Sequence, residues 1–226
     1  MTQALHQDRS IARLYGIFFI CTFLAYGIGY GVLEAMLHGE NGTLQAVEPD
    51  LTFTVAVLAM VVAHSLLNLG ILVIMYRVIE QFAPLLSMGF LGLGIMSTVS
   101  LLVGGVALML IGTAGADAPT LAQILYDANF YLYQTGMTLW GVGGLLMCTV
   151  LWRTQLVPRF FAIWGFVGYT VFIVGTISEF FQTGWGVMLA LPGGFFEIGL
   201  SLWLIFKGFN ATLNVPKANH AASSMA

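Results

Sequence analysis

Residues 51–77 read LTFTVAVLAMVVAHSLLNLGILVIMYR, and the 26 residues before Arg77 contain no Lys, Arg, Asp or Glu. About 20 apolar residues are enough for an α-helix to cross a bilayer. Inside lipid a helix satisfies its own backbone hydrogen bonds, whereas an exposed loop or an open strand does not. Comparable segments recur along the chain, and the predicted spans are 11–33, 51–76, 85–113, 123–152, 160–182 and 186–206. The sequence therefore predicts an all-α membrane protein with six transmembrane helices.

The composition agrees with a lipid environment. Hydrophobic residues make up 59% of the chain and charged residues only 8%, whereas an ordinary globular domain is about 25% charged. A soluble fold of 226 residues could not bury so much apolar surface. The predicted partner is therefore the lipid bilayer, and since no basic tract is present, nucleic acid is not expected as a partner.

The basic residues are distributed in a way that predicts the topology. Arg9 precedes the first span and Arg13 lies in its first turn. The other five lie in every second connection or after the last span: Arg77, Arg153, Arg159, Lys207 and Lys217. The other three connections contain no Lys or Arg. Because cytoplasmic loops concentrate these residues, both termini are predicted to be cytoplasmic.

The chain divides into one membrane domain and two short ends. Residues 1–10 are predicted to form a cytoplasmic N-terminal segment, and residues 11–208 the six-helix transmembrane domain. Residues 209–226 are polar and rich in Ala and Ser, which predicts a disordered cytoplasmic tail. The first apolar stretch is too long for the core of a signal peptide, so we expect it to be a retained helix. Asn41-Gly42-Thr43, in the predicted outer loop, matches a glycosylation site.

Depth in the membrane singles out two ionisable residues. His64 precedes Arg77 by 13 residues and Glu197 precedes Lys207 by 10 residues, which corresponds to about 20 Å and about 15 Å along a helix. Both are thus predicted near the middle of a hydrocarbon core about 30 Å thick. An acidic side chain there costs roughly 2.5–3.5 kcal/mol. Glu197 is therefore expected to be protonated or hydrogen-bonded, and to be present for a functional reason.

Other polar residues extend this pair into a predicted pocket that opens to the outer side. His64 and Asn68 share one helix face, and so do Glu197 and Ser201, because each pair is four residues apart. Asp127 and Glu179 are expected near the outer interface, where they could equally be hydrated helix ends. The candidate pocket residues are His64, Asn68, Glu197, Ser201, Asp127 and Glu179. The alternative is that these groups only hold helices together through hydrogen bonds.

Several kinds of chemistry are excluded or unsupported. No lysine lies within a predicted span, which excludes a retinal Schiff base, and a single deep histidine excludes haem held by two histidines of one chain. No spacing of His, Cys, Asp and Glu indicates a metal site, so none is predicted. The sequence identifies no cofactor, and it leaves open whether the protein is an enzyme.

Three stretches resemble a known family. They are residues 12–16 (ARLYG), 151–159 (LWRTQLVPR) and 192–208 (PGGFFEIGLSLWLIFKG). Over roughly residues 10–210 the chain is similar to the bacterial membrane family catalogued as domain of unknown function 4386. The resemblance implies a six-helix, multi-pass protein of the inner (plasma) membrane without an assigned activity. It places Arg13, Arg159 and Glu197 on recurrent positions, whereas residues 84–90 (PLLSMGF) lack the basic residue expected near the start of the third helix.

Three functions are compatible with these observations. The first is the binding or transport of a small ligand in a polar pocket around His64, Asn68 and Glu197. The second is an enzyme acting on a lipophilic substrate, with Glu197 as proton donor and His64 as base. The third is an accessory subunit of a membrane complex. The sequence also permits a homo-oligomer, and it does not identify a ligand.

Overall fold

The computed structural model of the chain describes residues 2–38, 44, 47, 50–114 and 118–210. The glycosylation match at residues 41–43 lies outside these residues. So does the predicted tail, except for Phe209 and Asn210.

The described residues form seven α-helices and one π-helical segment. The helices are α1 (Thr2–Leu37), α2 (Leu51–Val57), α3 (His64–Ile79), α4 (Pro84–Ala114), α5 (Pro119–Thr154), α6 (Arg159–Glu179) and α7 (Gly186–Phe206). A π-helical segment, Leu58–Ala63, joins α2 to α3 without a break. Six helical spans result, each long and apolar enough to cross a membrane. The predicted six-helix architecture is therefore confirmed.

The spans pack in a closed ring. Each span contacts the next one along the chain, and α1 also packs against α7. Glycine makes this closure possible, because a Cβ atom on Gly16 of α1 would lie 2.5 Å from the Ser201 backbone oxygen of α7. A second close approach brings α6 against α7, where a Cβ atom on Gly168 would lie 3.1 Å from the Gly193 Cα. Close approach of backbones through small residues is the usual basis of helix association in lipid.

α1 and α5 face each other across the middle of the ring, but their backbones are not packed together. Large side chains fill the space between them instead. The facing pairs are Tyr15 with Met147, Phe19 with Trp140, Tyr26 with Tyr133, and Glu34 with Tyr126. As the position along α1 rises, the position along α5 falls, as antiparallel helices require. We call this side-chain-filled space the α1–α5 gap.

One end of the bundle carries the basic side chains, and we call it the basic end. The described residues there are Arg9, Arg13, Arg77, Arg153, Arg159 and Lys207. Two hydrogen bonds hold this end together. Arg13 Nε donates to the Ile205 carbonyl at 3.2 Å, and the Asn210 backbone N–H donates to the Leu156 carbonyl at 2.8 Å. The grouping agrees with the charge pattern of the sequence. It does not by itself say which side of a membrane this end occupies.

Candidate functional site

The Glu197 carboxyl lies inside the bundle and is 8% exposed. Trp140 Nε1 of α5 donates a hydrogen bond to Glu197 Oε1 at 2.7 Å. Tyr169 OH of α6 donates to the same oxygen at 2.8 Å. One carboxyl oxygen of α7 thus joins three helices, which confirms that Glu197 is hydrogen-bonded.

The second carboxyl oxygen remains available. Among the described residues, both donors to Glu197 bond to Oε1, and no donor bonds to Oε2. The Tyr15, Tyr133 and Cys148 side chains lie within electrostatic range of the carboxyl. These groups are neutral when protonated, and the described Lys and Arg residues are all at the basic end. No cationic side chain is therefore placed to balance a negative charge on Glu197.

Small residues position the Glu197 partners. The α6–α7 contact at Gly168 and Gly193 brings the neighbouring Tyr169 beside α7. The Tyr169 ring packs against Gly144 of α5 and lies 5.5 Å from the Phe196 ring, centroid to centroid. Tyr169 is only 2% exposed, so its ring is fixed on several sides. The hydroxyl is thereby held in place to donate to the carboxyl.

His64 forms a second buried polar position. Its side chain is 5% exposed, and its ring lies 5.0 Å from the Tyr26 ring in an edge-on arrangement. Tyr26 in turn lies 5.8 Å from Tyr133 across the α1–α5 gap. The π-helical segment ends at Ala63, immediately before His64. Such segments within α-helices are rare and occur frequently at functional sites.

His64 and Glu197 are not in direct contact. No hydrogen bond or ion pair joins them in the described structure, and the rings of Tyr26 and Tyr133 lie between their positions. Trp140 binds Glu197 and packs against Phe19, so Glu197 lies at the level of Phe19 on α1. Tyr26 is seven residues farther along α1, which is a distance of about 10 Å. The acid and base of the enzyme hypothesis are therefore not assembled as a pair in this conformation.

Several buried polar atoms have no hydrogen-bond partner among the described residues. They are Thr22 Oγ1, Tyr26 OH, His64 Nδ1, Ser65 Oγ, Ser97 Oγ, Asn129 Nδ2 and Trp203 Nε1. A buried polar group without a partner costs about 1–3 kcal/mol. Buried groups of this kind are commonly satisfied by ordered water.

Asn68 and Ser201 are already engaged elsewhere. Asn68 Nδ2 donates to Thr98 Oγ1 at 2.7 Å, and Thr98 Oγ1 donates to the Gly94 carbonyl at 2.8 Å, which joins α3 to α4. Ser201 Oγ donates to the Glu197 backbone carbonyl at 2.8 Å. Both side chains are fully or almost fully buried. In this conformation the Asn68 amide and the Ser201 hydroxyl donate to groups of the bundle itself, and their place in a ligand pocket stays a prediction.

Asp127 and Glu179 lie away from the Glu197 carboxyl. Asp127 is exposed on α5 and accepts a hydrogen bond from Gln123 Nε2 at 2.8 Å. Glu179 Oε1 accepts from the Gly186 backbone N–H at 2.6 Å, at the N-terminus of α7. A carboxylate is favourable there because the helix dipole presents a partial positive charge. Gly186 precedes Glu197 by 11 residues, about 16 Å along α7, so Glu179 is a helix cap.

A second carboxyl cluster closes the far end of the α1–α5 gap. Glu34 accepts hydrogen bonds from Tyr30 OH and from Tyr126 OH, the latter at 2.8 Å. His38 Nδ1 lies 2.8 Å from Glu34 Oε2, and both side chains are 26% exposed. The predicted first span ends at residue 33, but α1 extends to Leu37 and includes Glu34. The hydroxyl donors allow the helix to continue through this acidic residue.

The described structure contains a cavity of about 330 Å³ at a different location. It lies between α1 and α2, and its lining is almost wholly apolar: Ile28, Gly29, Val32, Leu51, Thr52, Val55, Ala56 and Ala59. None of the candidate pocket residues lines it. Among the residues that the structure describes, no three His, Cys, Asp or Glu side chains are grouped to hold a metal ion. The polar pocket open to the outer side therefore stays a prediction.

A comparison with protein families identifies the chain. The family model described as domain of unknown function (DUF4386) matches residues 14–208. The chain belongs to this family. No curated protein and no solved structure gives a significant match. The family description carries no activity, so the argument for function depends on the geometry above.

The positions that the resemblance highlighted have distinct surroundings. Arg13, which precedes the range matched by the DUF4386 model, binds the Ile205 carbonyl at the basic end. Arg159 lies over the Trp152 ring, 5.6 Å from its centroid, at the same end. Only Glu197 lies in the interior. The two arginines thus stabilise the basic end, and Glu197 remains the candidate for ligand chemistry.

Sequence reasoning missed most of the partners. Trp140 and Tyr169 were counted as apolar residues of their spans, although their N–H and O–H groups bind Glu197. One signal was present in the sequence: polar side chains recur every four residues on one face of α1, at Tyr26, Tyr30, Glu34 and His38. This spacing places them on a single stripe, which in the structure faces the α1–α5 gap.

Proposed function

We propose that this multi-pass membrane protein binds a small ligand inside its helix bundle, at the Glu197 carboxyl, as a binding or transport protein. The observation that carries the proposal is the arrangement of that carboxyl. Donors from α5 and α6 hold Oε1, while no described residue donates to Oε2. One oxygen is thus fixed in place, and the other is open to an external group.

The energetic cost of an acidic residue supports a functional role. A carboxylate near the bilayer centre costs roughly 2.5–3.5 kcal/mol. Hydrogen bonds between helices in a membrane contribute about 0.6 kcal/mol on average. Two bonds of average strength return less than this cost. Charge-assisted bonds of about 1.5–3 kcal/mol each would only offset a cost that a neutral side chain avoids, so helix association alone is a weak reason to retain the residue.

The unpartnered groups beside the α1–α5 gap also support an interior that takes up a ligand. His64 Nδ1 and Tyr26 OH are buried, and each lacks a hydrogen-bond partner among the described residues. They lie between the Glu34 cluster at the far end and Glu197. A polar molecule that displaces the side chains filling the gap from the far end would meet these groups in succession.

Native mass spectrometry of protein extracted with its own lipid tests the proposal. Wild type should retain a small molecule that is lost from Glu197→Gln, in which the carboxylate is replaced by a neutral group of the same shape. Glu80→Gln is the matched control because it also replaces one glutamate by glutamine, but at the basic end, where the carboxylate pairs with Arg77. Retention by all three forms would place the ligand elsewhere. If no form carries a ligand and all are equally stable, the proposal is wrong, and an accessory role becomes the better explanation.

We further propose that both termini are cytoplasmic and that the protein resides in the plasma (inner) membrane. The clustering of the described Lys and Arg residues at one end of the bundle supports this orientation. Reporter fusions at Gln45, between the first two spans, and at Ala222, after the last, test it. A cytoplasmic reporter should be active at Ala222 and inactive at Gln45. The reverse result would overturn the orientation.

A further inference from the structure

We infer that the Glu197 site takes a small organic cation of the ammonium class, which places its charge at Oε2. This inference rests on the proposed function and names the chemical class of its ligand. It is argued from the charge balance around the carboxyl, from the aromatic rings that surround it, and from the buried groups along the α1–α5 gap.

The charge of the carboxylate requires a counter-charge. Trp140 and Tyr169 stabilise Oε1 with neutral donors, which leave the net charge unchanged. The described Lys and Arg side chains lie at the basic end and not beside Glu197. A buried carboxylate without a counter-ion is strongly disfavoured. Oε2 therefore carries either a proton or an external cation, and a ligand that binds there exchanges with that proton.

The surroundings of Glu197 favour an organic cation. The Trp140 ring lies 6.1 Å from Phe19, and the Tyr169 ring lies 5.5 Å from Phe196, centroid to centroid. The faces of aromatic rings attract ammonium groups, most strongly where water is excluded. A carboxylate among aromatic rings therefore supplies both the charge and the polarisable surface that such a cation needs.

Two other ligand classes fit less well. An anion would enter a gap that holds two carboxyls, Glu34 and Glu197, and no described Lys or Arg. A hard metal ion such as Ca²⁺ needs six to eight oxygen ligands. Among the described residues, no three His, Cys, Asp or Glu side chains lie close enough together to hold a metal ion. The Trp140 N–H, which points to the carboxyl, is a donor only and cannot ligate a cation.

His64 gives a second, independent indication. Its side chain is 95% buried against Tyr26, and Nδ1 has no hydrogen-bond partner among the described residues. A neutral imidazole presents a nitrogen that accepts a hydrogen bond. An ammonium N–H could donate to it about 10 Å before reaching Glu197. The gap thus offers a cation three successive partners: the Glu34 carboxyl, the His64 imidazole and the Glu197 carboxyl.

Isothermal titration calorimetry on the full chain in lipid nanodiscs tests the inference with matched probes. Choline is compared with 3,3-dimethyl-1-butanol, its neutral carbon analogue of the same shape, and n-butylammonium is compared with n-butanol. At least one cation should bind wild type tenfold or more tightly than its neutral partner. Because each comparison is made within wild type, the result does not depend on a variant folding.

Variants then locate the binding site. Glu197→Gln should weaken cation binding by at least tenfold, whereas Glu80→Gln, at the basic end, should bind as wild type does. If each neutral analogue binds as tightly as its cation, or if Glu197→Gln keeps full affinity, the inference is wrong. An anionic or neutral molecule that is retained by wild type and lost from Glu197→Gln in native mass spectrometry would overturn the cation class and leave the proposed function standing.

Discussion

Replacing Tyr169 by Phe isolates the hydrogen bond that holds the interior carboxyl. The substitution removes one hydroxyl and keeps the ring, which is 2% exposed and packs against Gly144 and Phe196. The lost bond is the 2.8 Å contact from Tyr169 OH to Glu197 Oε1. The change in the free energy of unfolding should therefore report on this bond and little else.

The expected size of the effect depends on the charge of the acceptor. A hydrogen bond to a charged group contributes about 1.5–3 kcal/mol, whereas an average bond between membrane helices contributes about 0.6 kcal/mol. With an ionised Glu197, Tyr169→Phe should cost about 1.5 kcal/mol or more. In a Glu197→Gln background the acceptor is neutral, so the same substitution should cost about 1 kcal/mol or less.

The assay is reversible unfolding in mixed micelles, with an increasing fraction of denaturing detergent and helicity as the signal. Tyr131→Phe is the control, because Tyr131 is 39% exposed and its hydroxyl makes no hydrogen bond among the described contacts. The reasoning fails if Tyr169→Phe costs no more than Tyr131→Phe. In the Glu197→Gln background a smaller cost would show that Glu197 is ionised, and an unchanged cost would show that it is protonated in the ligand-free protein.

Two further predictions concern the fold. Gly16→Ala should destabilise the bundle by about 1–3 kcal/mol, the usual cost of overpacking, because its Cβ atom would lie 2.5 Å from a backbone oxygen of α7. A Cβ atom on Gly27 of the same helix would meet only open space, so Gly27→Ala should be neutral or stabilising in the same unfolding assay. Equal effects of Gly16→Ala and Gly27→Ala would contradict the close contact between α1 and α7. Glu179→Gln should cost about 0.3–1 kcal/mol, because the amide keeps an acceptor for the Gly186 N–H but loses the charge that interacts with the helix dipole. Asp127→Asn, in an exposed position, should change stability less. If Asp127→Asn costs as much, the cap assignment is wrong.

Hydropathy was sufficient to predict the architecture. Each of the six spans appears where the sequence places an apolar segment, because a bilayer leaves few alternatives to a helix. The end of α1 was less predictable. Glu34 ends the apolar run of the first span, which suggests a loop. However, Glu is a good helix former, and the hydroxyls of Tyr30 and Tyr126 bind its carboxyl as α1 continues to Leu37.

The candidate site was predicted only in part. The position of Glu197 along its helix identified it as an acidic residue with a high free-energy cost in the membrane, since depth follows directly from helical rise. Its partners could not be inferred, because Trp140 and Tyr169 lie on other helices and their relative rotation is set by packing. The π-helical segment before His64 was equally hidden, because residues 58–63 are a uniform apolar run with no turn signal.

The α1–α5 gap has a consequence for how such a protein can diversify. Its middle is formed by side chains that reach across from two helices whose backbones do not touch. The interior would gain volume if a smaller residue replaced Tyr133, and it would become less polar if Tyr26 lost its hydroxyl. Neither change would alter the contacts between neighbouring helices of the ring. If the interior binds a ligand as proposed, the scaffold and the selectivity are encoded by separate sets of residues. Related chains can then keep one architecture while each admits a different molecule.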